Sequence, residues 1–211
     1  MESTLRDLAP DSLVIIETIG YTPKDSFARL GLHMDRMART CARLGVKFDR
    51  GETLFAVGSA VGSVAARVRL TIDLAGTVNV TTTELTQTSG GWIVAISDVV
   101  LQSNDPWLGV KTSQRATYDQ ARAELPNGLD ELIFLNENGY LCEGTITNLF
   151  VRRGDVFLTP PVSAGVLPGV LRQEMLENGT AVEADLTPAD LDGADVYVGN
   201  SLRGLITARM I

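Results

Sequence analysis

At 211 residues and a net charge of −8, the chain is long enough for one large domain or two small ones around a substantial core. Its residues are 45% hydrophobic and 21% charged, which reads as a compact soluble protein, and an acidic chain without lysine clusters excludes the basic face that nucleic acid or an anionic membrane would attract. No apolar run reaches membrane-span length, "MESTLRDLAP" shows no secretory signal, and the well-separated Cys41 and Cys142 read as reduced core thiols, so a cytoplasmic location is expected.

"SLVIIETIGY", from Ser12 to Tyr21, is β-branched and short, which predicts a strand ending at a glycine turn. Between Ser26 and Gly45, apolar residues at Phe27, Leu30, Leu32, Met34, Met37, Cys41 and Leu44 predict an amphipathic helix closed by Gly45. "ETLFAVGSAVGSVAA" predicts a second helix, weakened by Gly58 and Gly62. "ARVRLTIDLAGTVNVTTTEL" alternates around Ala75-Gly76 and predicts a hairpin. "TQTSGG" is small and polar, so residues 86–91 are expected to link a small N-terminal α/β domain, 1–85, to a larger domain, 92–211.

"GWIVAISDVVL" restarts strand character, and "TSQRATYDQARAEL" predicts a helix whose first turn follows Lys111. "ELIFLNENGYLCEG" and "TNLFVRRGDVFLTPP" each place a turn between two apolar runs, which predicts two antiparallel hairpins. "GVLRQEMLEN" and "LTPADLDGAD" are short helices, and "VYVGNSLRGLITARMI" is a strand, a turn and a strand. The pattern predicts two α+β domains rather than a doubly wound sheet, with neither a repeat nor a low-complexity tract.

Four stretches carry potential chemistry. Only three of the cations are lysine, at 24, 47 and 111, and Lys111 follows the apolar "WLGV". Lysine, unlike arginine, can lose its proton and act as a nucleophile towards an aldehyde; a snorkelling side chain is the alternative. Glu143 ends an apolar strand and is followed by glycine and small hydroxyl residues, so it either points into a site or faces water from a sheet edge. Leu167-Pro168-Gly169 leads into a helix whose N–H groups at Val170 and Leu171 form a ready anion site, or an ordinary loop-to-helix junction. "GNSLRG" offers amide and hydroxyl donors at Asn200 and Ser201, which suit a phosphate or simply turn the chain.

Taken together, "ENGYLCEGTITNLFVRRGDVFLTPPVSAGVLPGVLRQ", "ETI" at Glu17 and "LHMDRM" resemble the class IV aminotransferases, the fold-type IV pyridoxal phosphate enzymes, over nearly the whole chain. The resemblance implies a minimal version of the two-domain, D-amino-acid aminotransferase-like architecture, and a homodimer. It makes Lys111 the Schiff-base lysine and Glu143 the partner of the pyridinium nitrogen. It also gives the cofactor phosphate to Arg36, to the helix start at Gly169, Val170 and Leu171, and to the turn at Asn200 and Ser201. Tyr118 is expected near the cofactor's phenolic oxygen. Arg115 and Arg203 are candidates for substrate carboxylates, with solvated surface arginine as the alternative. No metal site is expected, and His33, the one histidine, is expected in a structural or supporting role.

"GVKTSQRATYDQAR" and "GNSLRG" resemble the lyase members, which eliminate pyruvate from 4-amino-4-deoxychorismate. The alternatives are an amino-acid transaminase of branched-chain or D-amino-acid type, and a non-catalytic binding protein on the same fold. The family's Asn-Gly hairpin and Tyr-Gly-Asp-x-x-Phe-Glu stretch near the N-terminus are replaced by "DSLVIIETIG", and the usual closing helix after the last strand is missing.

Overall fold

The computed structural model describes residues 5–86 and 90–211. Residues 87–89, within the expected linker, lie outside the described residues. Two compact units emerge: one holds residues 5–86 and Lys111–Gln114, the other residues 90–110 and Arg115–Ile211. Residues 111–114, expected in the second domain, thus belong to the first.

The first unit is an antiparallel sheet with two helices. Strands β1 (Val14–Thr22), β2 (Ser26–Phe27), β3 (Ala66–Asp73) and β4 (Val78–Glu84) lie in the order β2-β1-β3-β4. β3 shows the alternation its sequence predicts, burying Ala66, Val68, Leu70 and Ile72. Helix α1 (Leu30–Arg43) packs Met34 and Met37, both fully buried, towards β1. It starts four residues later than expected because Ser26 and Phe27 pair with Thr22 and Tyr21. Helix α2 (Arg50–Ser59) is capped by the Asp49 side chain on the Glu52 N–H at 2.8 Å. It ends well before the expected Ala66, which is already the first residue of β3.

Residues 111–113 add to the start of β1. Ile16 N donates to Lys111 O at 2.9 Å, and Ser113 N donates to Val14 O at 2.9 Å. That pairing draws Thr112 and Ser113 into extended backbone, so the following helix starts at Ala116 rather than directly after Lys111.

The second unit contains β5 (Trp92–Leu101), α3 (Ala116–Ala123), β6 (Glu131–Asn136), β7 (Leu141–Gly144), β8 (Asn148–Arg153), β9 (Val156–Thr159), α4 (Val170–Glu177), β10 (Ala181–Glu183), β11 (Val196–Asn200) and β12 (Gly204–Met210). The order is β10-β9-β8-β11-β12-β5-β6-β7, and a further pairing of β7 with β8 closes the sheet on itself. The closing register is Glu143 opposite Asn148. Both predicted hairpins form, as does the antiparallel β11–β12 pair. The parallel pairings β12–β5, β5–β6 and β9–β10 are long-range and carry no local turn signal. "LTPADLDGAD" forms only a short 3₁₀ turn at Pro188–Leu191.

Closure explains the burial of β7. Leu141 packs in one core with Val94, Ile133, Leu149, Val198 and Ile206, while Cys142 packs in another with Leu108, Phe134 and Val166. All four β7 residues are buried, so Glu143 sits in a strand covered on both faces rather than on an exposed edge.

Candidate active site

Glu143 is 5% exposed at the seam where β7 meets β8. Tyr118, in the first turn of α3, donates its hydroxyl to Glu143 Oε1 at 2.9 Å. Asn148 Nδ2 donates to Glu143 Oε2 at 3.1 Å and also to Leu167 O at 3.0 Å. Burial first, and then the neighbouring charge of Glu143, push the Tyr118 phenol up, so it stays protonated and remains a donor. The same two causes, in that order, raise the adjacent Cys142 thiol to about 12, which keeps it an unreactive thiol.

From Asn148 the contacts run on to the expected phosphate-binding segments. A Cβ on Gly169 would overlap Asn148 Oδ1, so a larger residue there would displace that amide, and the loop lies directly against the seam. Gly169 is the N-cap of α4 and brings no side-chain cap to the helix's first N–H groups. Leu171 in the first turn of α4 packs on Gly199, where an added Cβ would lie 2.9 Å from Leu171 Cδ2. Next along β11, Asn200 closes the β11–β12 turn by accepting from Leu202 N at 3.1 Å and Arg203 N at 3.0 Å. Its Nδ2 donates to Ile146 O at 3.1 Å, which ties the turn back to the loop after Glu143. Ser201, on that turn, is buried.

Glu143, Gly169, Val170, Leu171, Asn200 and Ser201 therefore occupy one continuous part of the second unit. The donor set fits a phosphorylated pyridine: a helix start without a side-chain cap and a serine hydroxyl for the anion, and a buried carboxylate for the ring nitrogen. α4 itself is fixed by Arg172, which is buried, donates to Pro160 O at 2.8 Å and pairs with Glu183.

The two candidate substrate arginines differ. Arg115 Nε bonds Asp119 at 2.8 Å, its Nη2 donates to Thr145 O at 2.8 Å, and its guanidinium lies 5.7 Å from the centre of the Tyr118 ring. Arg203 is exposed and lies 5.7 Å from the centre of the Trp92 ring.

In the first unit, Lys111 is half-buried and bonded through its carbonyl to β1 at Ile16, the residue before Glu17. Glu17 is 1% exposed and lies beneath α1. Arg36 Nε donates to its Oε1 at 2.8 Å, Arg36 Nη2 donates to Oε2 at 2.6 Å, and His33 Nδ1 donates to Oε2 at 2.6 Å. Burial alone would raise the carboxyl's pKa, but Arg36 and then His33 outweigh it and hold it at about 2. The expected phosphate-binding Arg36 thus has one guanidinium edge fixed on a carboxylate, and the supporting role expected for His33 is this contact.

Three residues of these networks were not singled out by the sequence reading. Asn148 is the amide of the quoted "TNLF", and its signal was a carboxamide opening an otherwise apolar strand. Glu17 lay in the quoted "ETI", a lone acid in a β-branched run. Glu131 is fully buried and accepts from Thr145 N at 3.0 Å, Ile146 N at 3.2 Å and Thr147 Oγ1 at 3.0 Å. It shapes the loop between Glu143 and Asn148, and no local pattern distinguishes it from a surface acid. Among the described residues, no group of His, Cys, Asp and Glu is arranged to hold a metal ion.

The model of the amino-transferase class IV family matches residues 15–211. A crystal structure of a Mesorhizobium loti protein proposed to be an amino-acid aminotransferase is similar at 36% identity and a TM-score of 0.90, covering 95% of this chain and 100% of that one. A Schizosaccharomyces pombe protein proposed to be an aminodeoxychorismate lyase is 29% identical over 81% of this chain and 79% of its own length. The aminodeoxychorismate lyase of Saccharomyces cerevisiae is 28% identical over 54% of this chain, and the match spans 36% of that enzyme.

Proposed function

Because the chain belongs to the class IV aminotransferases, we propose that it is a pyridoxal phosphate-dependent enzyme that eliminates pyruvate from 4-amino-4-deoxychorismate, leaving 4-aminobenzoate. The observation that carries the cofactor reading is the buried Glu143 at the sheet seam, contiguous through Asn148 and Gly169 with the helix start at Val170. When bound, the cofactor supplies an electron sink for charge developing next to the substrate's amine-bearing carbon, provided its ring nitrogen stays protonated.

The chain's own residues supply the rest. Glu143 holds the proton on the ring nitrogen, and its burial keeps bulk water from weakening that pairing. The N–H groups at Val170 and Leu171 and the Ser201 hydroxyl would hold the phosphate, a task the family resemblance also gives to Arg36. Lys111 would hold the cofactor through its side-chain amine. As a free neutral amine, Lys111 would serve as the general base for the proton on C4 of the substrate. The net reaction breaks the C3–O bond to the enolpyruvyl group, and a proton returned to that group gives pyruvate, so no further reactant is needed. Arg115 and Arg203 are the candidates for a substrate carboxylate.

The lyase-like "KTSQRATY" stretch and the two fungal relatives support this reaction. The similarity to the Mesorhizobium loti protein favours a second one, transamination of an amino acid with 2-oxoglutarate or pyruvate. A homodimer follows from the same family reading. A reducing cytoplasm is supported by two free, buried cysteines, and no described helix is long and apolar enough to cross a membrane.

The discriminating experiment offers the loaded protein 4-amino-4-deoxychorismate in one vessel and an L- or D-amino acid with 2-oxoglutarate in another. Pyruvate and 4-aminobenzoate in equal amounts support the lyase. Steady glutamate formation from the second vessel, without 4-aminobenzoate from the first, overturns it in favour of the transaminase. A protein that stays colourless when given the cofactor supports a binding module on the same fold.

A further inference from the structure

Glu143 is held by two donors from different elements, one to each oxygen, and both donors are themselves immobilised. Tyr118 reaches Oε1 from α3 at 2.9 Å, and Asn148 reaches Oε2 from β8 at 3.1 Å. The Tyr118 ring stands edge-on to Phe134, with centroids 5.2 Å apart, and Arg115 lies against it at 5.7 Å. Arg115 in turn bonds Thr145 O, two residues beyond Glu143, so the start of α3 is pinned to the end of β7. Asn148 is fixed by its second bond to Leu167 O and by Gly169 against its Oδ1.

Resting on the cofactor reading above, we propose that Tyr118 and Asn148 are positioning residues, which set the orientation of the Glu143 carboxylate towards the cofactor's ring nitrogen. Two fixed donors prevent the carboxylate from rotating, so one lone-pair direction is presented to the ring nitrogen. Both donors are neutral groups. A hydroxyl has one proton to donate, and that of Tyr118 goes to Glu143. The phenol's raised pKa keeps it in the donor form.

The test compares wild type, Tyr118→Phe and Asn148→Ser for binding of pyridoxal phosphate and of its 1-deaza analogue, which has carbon in place of the ring nitrogen. Tyr118→Phe keeps the ring packing on Phe134, so it decides the matter should Asn148→Ser fail to fold. The expected result is pyridoxal phosphate affinity lowered about tenfold in each variant, with the affinity for the deaza analogue changed less than about twofold. In protein loaded with ring-¹⁵N cofactor, the nitrogen resonance should move from the protonated towards the unprotonated range in Tyr118→Phe. Equal losses for both ligands, or no loss with an unmoved resonance, overturn the positioning role. If borohydride traps cofactor on wild-type Lys111 in those cases, the cofactor reading survives. A wild-type protein that takes up no cofactor overturns both.

Discussion

Glu17 and Glu143 are both strand carboxylates with almost no solvent exposure, one in each unit, and different donors reach them. Glu17 meets the Arg36 guanidinium along one edge and His33 from the next turn of α1. Glu143 meets a phenol and a carboxamide. A carboxylate locked to a fixed cation is part of the scaffold, and its charge is already used to hold α1 on β1. Neutral donors orient a carboxylate while leaving its charge to act on a bound cation. The contrast teaches that the chemistry of the partners, more than burial, separates a structural acid from a functional one.

The comparison can be broken most sharply at Arg36. Arg36→Leu leaves the buried Glu17 charge without its main counter-ion, and unfolding by urea should show a loss of about 3–5 kcal/mol. Tyr118→Phe should cost far less, about 1 kcal/mol, because one neutral hydrogen bond is lost. If the two losses were alike, the distinction between the carboxylates would fail.

Acid should reveal the same asymmetry. Glu17 titrates near 4.5 when unfolded and near 2 when folded, so its contribution is complete above pH 4.5 and is lost as pH falls through about 2. A depression of that size corresponds to about 3 kcal/mol. Urea midpoints taken at steps from pH 5 to pH 2 should fall steadily in wild type and much less steeply in Glu17→Gln.

Glu131 sharpens the comparison as a third case, a buried acid that accepts from backbone N–H groups and hydroxyls with the Arg122 guanidinium 3.5 Å away. In Glu131→Gln the amide turns a donor towards donors, which should cost about 2–3 kcal/mol in a thermal or urea melt. Cofactor affinity should fall with it, because the loop it shapes runs from Glu143 to Asn148. A modest stability change that still reaches the site is expected for Gly169→Ala. Displacing Asn148 should cost about 1–2 kcal/mol and should also weaken cofactor binding, which a glycine required only by the fold would not do.

Much of this was legible because local chemistry announced it. Alternation in "ARVRLTID", the turns at "NENG" and "RRGD", and glycine before "VLRQEMLEN" each specify a strand, a hairpin or a helix start within a few residues. The Glu143 stretch and the "LPGV" loop stood out because an acid ends an apolar strand and a Pro-Gly pair opens a helix. What stayed hidden depends on distant pairing. The β7–β8 closure places Asn148 against Glu143, and only that register shows the amide's purpose. The parallel neighbours of β5 are separated from it by whole elements. The addition of residues 111–113 to β1 takes Lys111 out of the unit that its place in the chain suggests, and it shortens the expected helix to Ala116–Ala123. Glu131 looks like any acid at the start of a strand until the loop it organises folds over it.

Lysine at position 111 is the point on which the catalytic reading turns. The wild-type protein should be loaded with pyridoxal phosphate, reduced with borohydride, digested and mapped by mass spectrometry. The account predicts the reduced cofactor on the peptide carrying Lys111, none on Lys24 or Lys47, and none at all in Lys111→Ala. Label on either of the other two lysines, or label undiminished in Lys111→Ala, would contradict it.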